Sequence, residues 1–201
     1  INLLLLIVII VIIYLVYTYV FSTKLHLSGL KSATQSVTVD ANRLPGNKTS
    51  NNYAYSIWFY VNDWSYRLNE TKVLLSRGDN GDNNPLISLA ALENNLDIAV
   101  STYGAPNSGS HVHTCSVRNF PIQKWVNLTV SLNGRTLDVY IDGKLVRTCI
   151  LPGVAKINLK ADVKITPATN TGTGSNGFTS NLQYFAHPLN PQEAYNIHKQ
   201  G

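Results

Sequence analysis

The chain has 201 residues, 44% of them hydrophobic and 13% charged, which suffices to bury one full core. Its 16 Lys and Arg against 11 Asp and Glu leave a formal charge of +5, scattered as single residues or loose pairs. That pattern argues against a nucleic-acid surface and leaves only mild attraction to anionic membranes.

Met is absent and residue 1 is Ile, so the chain is expected to begin inside a longer or processed one. Leu3 to Phe21 reads LLLLIVIIVIIYLVYTYVF, nineteen residues without a charge. At 1.5 Å per residue such a run spans roughly 28 Å and predicts a transmembrane helix over residues 1–22. Tyr14, Tyr17 and Tyr19 gather at its end, where aromatic rings favour the headgroup layer. A cleaved signal peptide has a shorter apolar region followed by a small-x-small site, and none follows here. The expected localisation is a single-pass membrane protein, with the lipid bilayer as its first partner. Lys24, Lys31, Arg43 and Lys48 would hold the following segment in the cytoplasm. The sequons at Asn47, Asn69 and Asn127 point the other way if they are glycosylated.

Residues 23–52 are polar, with Ser28-Gly29, Pro45-Gly46 and Asn51-Asn52, and read as a stalk holding one short strand candidate near residues 36–40. The domain proper is expected over residues 53–201. It starts with Tyr53-AYSIWFYV-Asn62, whose period-two pattern and aromatic content predict a strand covered on both faces. Strands follow at Lys72–Arg77, Leu86–Leu92, Leu96–Tyr103 and His111–Val117, between stretches rich in Asn, Asp, Gly and Pro. Trp125-VNLTVSLNGRTLDVYIDGKLVRTC-Ile150 predicts a three-stranded meander, because Asn133-Gly134 and Asp142-Gly143 tolerate the positive φ of two-residue hairpin turns. Ala161–Thr166 and Phe178–Ala186 complete the β set. One helix closes the chain: Asn190-Pro191-Gln192-Glu193 places a capping side chain, a Pro and an N3 acid before Tyr195 and Ile197. Cys115 and Cys149 both fall in strands and are either a disulfide or two buried thiols.

The segments Tyr55-SIWFYV, Trp125-VNLTVSLNGRTLDVYIDGKLV and Gly177-FTSNLQYFAHPLNPQEAYNIHKQG together resemble the laminin-G-like and pentraxin-like branch of the concanavalin A-like superfamily. The resemblance implies an all-β fold: an antiparallel jelly-roll sandwich with one short C-terminal helix, here preceded by the transmembrane helix. It also implies that Trp125 opens the strand before the Tyr140-Ile141-Asp142-Gly143 hairpin and fills the core. The layout of anchor plus sandwich is similar to membrane-anchored virion proteins of large double-stranded DNA viruses.

The glucan-cleaving members of that family carry clustered acids on one strand; here Glu93 and Asp97 stand apart, flanking the turn at Asn94-Asn95. No nucleophile elbow, phosphate loop or CxxC pair occurs, so the chain reads as a non-enzyme. Asp79 and Asp82, among several Asn carbonyls, are the candidate ligands for Ca²⁺, the one cofactor the sequence suggests; the same residues also make an ordinary turn. Arg77-Gly78-Asp79 spells an adhesion tripeptide at a strand end. Trp64, Tyr66 and Tyr103 lie at loop edges, where lectins stack sugar rings. The leading functional expectation is a structural module of a virion, linking capsid proteins to the membrane. The alternative is a cell-surface carbohydrate-binding or adhesion domain, Ca²⁺-dependent if the Asp loop is a site.

Overall fold

The computed structural model describes residues 3–20, 25–45, 51–78, 81–104, 110–157, 159–170 and 172–201. A helix, α1 (Leu3–Val20), comes first. The strands are β1 (Leu25–Ser28), β2 (Lys31–Ser32), β3 (Val37–Val39), β4 (Tyr53–Asp63), β5 (Lys72–Arg77), β6 (Leu86–Leu89), β7 (Leu96–Tyr103) and β8 (Ser110–Val117). They continue with β9 (Trp125–Asn133), β10 (Thr136–Ile141), β11 (Lys144–Ile150), β12 (Val163–Ile165), β13 (Ala168–Thr169), β14 (Gly172–Thr173) and β15 (Asn176–Phe185), before helix α2 (Pro191–Gln200).

Two antiparallel sheets form the sandwich. The first has the order β1-β15-β4-β9-β10-β11, with β2 also on β15; the second runs β3-β12-β5-β6-β7-β8. Period two decides which side chains meet between them. From β4 come Tyr55, Ile57, Phe59 and Val61; from β9 come Val126, Leu128, Val130 and Leu132; and β7 answers with Leu96, Ile98 and Val100. At about 25 cal/mol per Å² of buried apolar surface, this cluster is the main source of stability.

The stretch read as a stalk supplies strands to the fold. Residues Leu25–Ser28 and Lys31–Ser32 pair with β15, and Val37–Val39 pairs with β12. Elements of two to four residues carry too few alternations for a period to show, which is why composition alone suggests a linker.

The expected membrane anchor is corrected. The helical run covers 18 residues, and among the described residues no helix is long and apolar enough to cross a membrane. The single-pass localisation, in a virion membrane or at a cell surface, falls with it.

The meander forms with one shift of detail. Asn133 pairs with Thr136, so the central turn residues are Gly134 (φ +61°) and Arg135. The second turn is Asp142-Gly143, both at positive φ as a mirror-image turn requires (+51° and +74°). A Cβ on Gly143 would also lie 2.9 Å from the Cα of Tyr195, because α2 crosses just above this turn. The turn therefore needs Gly twice over, for its own backbone and for the helix.

Helix α2 starts in a full capping box: Asn190 Oδ1 accepts from Glu193 N–H (2.9 Å), and Glu193 Oε2 accepts from Asn190 N–H (2.8 Å). It buries Ile197 against Ala54, Phe185 and Leu189 on the outer face of the first sheet, and leaves Tyr195 exposed. Beneath it the outward side chains are small and polar. Ser131 Oγ both donates to the Leu189 carbonyl (3.1 Å) and accepts from the Leu189 N–H (2.8 Å).

Candidate binding surfaces

The outer face of the first sheet changes character where α2 ends. The outward positions of β4 run Ala54, Ser56, Trp58 and Tyr60, and those of β9 run Ser131, Thr129, Asn127 and Trp125. The small and polar members lie under the helix and are buried: Asn127 donates to Ser56 Oγ at 3.0 Å, and Thr129 to the same oxygen at 3.1 Å. The aromatic members lie at its C-terminal end, where Trp58 touches it, and beyond. Register places Phe178, Tyr60 and Trp125 side by side across β15, β4 and β9, with Trp58 two residues further along β4.

Trp125 is 40% exposed and Phe178 46%, while Tyr60 and Trp58 are half-buried. Tyr60 and Trp125 have ring centroids 5.8 Å apart. Trp58 is held flat by stacking on His198 of α2 (5.4 Å, 23° between planes). Next to these rings a shallow cavity of ≈ 310 Å³ is lined by Trp58, Trp125, Ser180, Asn181 and Gly201. A second, of ≈ 430 Å³, continues from the same Ser180, Asn181 and Gly201 to Ser28 and Gly29. Asn181 sits at positive φ (+48°) in a bulge of β15, and its amide donates to the Gly201 carbonyl (2.6 Å) and accepts from Gln183 (3.0 Å). Flat apolar faces beside hydroxyl and amide groups match the two sides of a sugar ring, whose C–H face is apolar and whose rim is polar.

The residues singled out in the sequence are not gathered at one place. Trp64 and Tyr66 lie in the β4–β5 connection. There the Trp64 ring packs on Phe120 (6.0 Å), with Lys72 Nζ 4.9 Å from its centroid, so Trp64 is mostly committed to the core. Tyr103 and Asp82 stand at the opposite end of the sandwich, joined by Lys156. Its ammonium is 3.2 Å from the Asp82 carboxylate and 5.6 Å from the Tyr103 ring, which is 58% exposed. A lysine charge thus already faces Asp82. Asp79 and Asn47 lie outside the described residues, and among the described residues no cluster of three His, Cys, Asp or Glu is placed to hold a metal. Asn69 is an exposed turn residue at φ +68°, whereas Asn127 of the third sequon is fully buried. Arg77 is 5% exposed with its guanidinium in the core, so the adhesion tripeptide does not present its Arg. Cys115 and Cys149 are joined as a disulfide between β8 and β11, the edge strands of the two sheets.

The aromatic face departs from the sequence expectation, under which Trp125 fills the core and both faces of β4 are covered. A signal for it is present in the sequence. Trp125 shares its parity with Asn127, Thr129 and Ser131, the polar side of β9, which already places it outside the core.

Residues 31–194 match the sequence profile of the family described as the concanavalin A-like lectin/glucanases superfamily, laminin G type. No curated protein matches the chain. Solved structures similar in fold include the receptor-binding domain of botulinum neurotoxin D, at TM-score 0.62 and 12% identity over 85% of this chain and 43% of that one. The binding domain of botulinum neurotoxin DC, in complex with rat synaptotagmin II, matches at TM-score 0.61 and 15% identity, over 88% of this chain and 46% of that one. The serotype D ligand-binding domain in complex with N-acetylneuraminic acid matches at 0.60 and 13%, over 88% and 42%. The chain spans less than half the length of each. At these identities the likeness concerns the fold, and a virion role finds no support in the three structures named. The carbohydrate-binding or adhesion alternative is the better supported of the two expectations.

Proposed function

The chain belongs to the concanavalin A-like lectin/glucanase superfamily, and on that premise we propose that it is a carbohydrate-binding or adhesion module whose ligand surface is the aromatic outer face of the first sheet. The observation that carries this is the cross-strand row Phe178–Tyr60–Trp125 with Trp58 beside it, left uncovered where α2 ends. Exposed rings held by strand register are pre-ordered, so stacking a sugar on them costs little side-chain entropy. Ser28, Ser180 and Asn181 along the adjoining cavities supply the hydrogen-bonding groups that select among sugars.

The module binds rather than cleaves. Of the two acids nearest to a hydrolase pair, Glu93 accepts from Asn95 (2.6 Å) and Asp97 from Ser116 (2.5 Å), each engaged in its own hairpin. Protein partners fall within the same reading, since an aromatic platform also serves as an adhesion contact.

A glycan array probed with the purified chain, followed by calorimetry on the best ligand, tests the proposal. Trp125→Ala and Phe178→Ala are expected to weaken binding about tenfold each, or about 1.4 kcal/mol, without loss of folding because both rings are substantially exposed. An array without signal overturns the carbohydrate assignment, and a ligand indifferent to both substitutions overturns the assignment of the surface.

A further inference from the structure

On the opposite side of the sandwich from β1, the two sheets end in β8 and β11, and no described strand pairs with the outer edge of either. Between these edges lies a cleft of ≈ 720 Å³. Thr114, Ser116 and Arg118 line one wall, and Ile141, Val146 and Arg147 the other. None of the lining residues is acidic, and among the described residues neither Arg118 nor Arg147 takes part in an ion pair. The disulfide fixes the width at one point, holding the Cα atoms of Cys115 and Cys149 6.0 Å apart.

Strand β11 is unusual for an edge. Nearly all of it is exposed, including Leu145 (50%), Val146 (44%) and Ile150 (72%). A free edge with apolar side chains is a template for another strand, and proteins normally blunt it. Here Lys144 and Arg147 are the only charges on the strand, both positive. They repel a second copy of the same strand and select for a negative one.

We propose that this cleft receives an extended, acidic segment of a partner protein, which pairs through its backbone with the free edge of β11 and sets carboxylates against Arg118 and Arg147. The seven residues of β11 offer backbone groups at the spacing of a peptide, enough for a partner strand about 20 Å long. The guanidinium groups supply bidentate carboxylate recognition. An anionic sugar chain would satisfy the two arginines but not the ladder of backbone groups or the uncovered Leu145, Val146 and Ile150. The cleft is separate from the aromatic face, so each assignment stands or falls alone.

The test uses the full ¹⁵N-labelled chain titrated with a capped octapeptide alternating Val and Glu. The matching Val–Lys peptide, an N-methylated Val–Glu peptide and a heparin tetrasaccharide serve as comparisons. The Val–Glu peptide is expected to shift the amides of residues 144–150 and slow their hydrogen exchange, and the other two peptides to do neither. Arg118→Glu with Arg147→Glu should weaken binding at least tenfold, whereas Trp125→Ala should leave it unchanged. Shifts in the cleft with heparin but none in β11 with Val–Glu would make it an anionic-glycan site and overturn the proposal, as would the absence of shifts with every probe.

Discussion

Arg77 lies in the core, and none of its partners among the described residues is a carboxylate. Its guanidinium donates to the carbonyls of Ala161 (3.1 Å) and Leu159 (3.4 Å) and to the hydroxyl of Tyr55 (3.1 Å), and it lies 5.5 Å from the centroid of the Tyr184 ring. Dipoles and a π-face thus surround the buried charge. The two tyrosines beside it differ sharply, because the Tyr55 hydroxyl holds Arg77 while the buried Tyr53 hydroxyl finds no partner. Tyr55→Phe is therefore expected to cost about 1–3 kcal/mol, by leaving one guanidinium N–H unpaired, whereas Tyr53→Phe should be neutral or stabilising. Burial pushes both phenols above their ordinary pKa near 10. The folded chain then keeps protons that the unfolded chain releases, so this contribution to stability is complete below pH 10 and falls as pH rises above it. Urea denaturation of the parent and the two Phe variants at pH 7 and 10.5 checks both statements. The two variants should differ in stability at pH 7, and each should lose less than the parent between the two pH values.

Among the secondary-structure elements, α2 has the clearest local cause. Its capping box, N1 proline and an apolar contact through Tyr195 or Ile197 are readable in the sequence, and the structure shows the box closed and Ile197, not Tyr195, buried. Asn190→Ala removes the acceptor for the Glu193 N–H and should cost about 1 kcal/mol, measured by thermal unfolding. Trp58 should report the same change, since its ring stacks on His198 of that helix. A fluorescence spectrum unchanged in Asn190→Ala, together with unchanged stability, would show that tertiary packing alone sets the helix. The long strands are legible for a similar reason: β4, β9 and β10 alternate over six residues or more, and the hairpin dipeptides set their limits. What stays hidden is anything decided by distant chain. The outward Ser56 and Tyr60 look alike in period, yet one is buried and the other half-exposed because α2, at the far end of the chain, ends over Trp58 between them. The short edge strands β1 and β2 likewise exist only because β15 offers them an edge.

The sandwich as a whole is closed unequally on its two sides. On one side β1 and β2 cover the edge of β15, and β3 covers β12. On the other side β8 and β11 are joined by the Cys115–Cys149 bond, over a core floor of Val117, Phe120 and Ile141. That bond spans 34 residues of sequence, which include β9, β10 and most of β11. Closing a loop of this length in the unfolded chain removes conformational entropy equivalent to about 3–4 kcal/mol. Replacing both cysteines by Ser, or unfolding under reducing conditions, should lower the urea midpoint accordingly, and melting should occur roughly 6–16 °C lower. The effect should not be uniform. With the clasp gone, hydrogen exchange is expected to quicken first in β8 and β11, whose outer edges no described strand covers, while β4 and β9 at the centre of the first sheet keep their protection. Equal stability of the oxidised and reduced chains would mean that packing around Cys115 already holds the edges together. Loss of protection spread evenly over both sheets would mean that the bond acts on the fold as a whole and not on the mouth of the cleft.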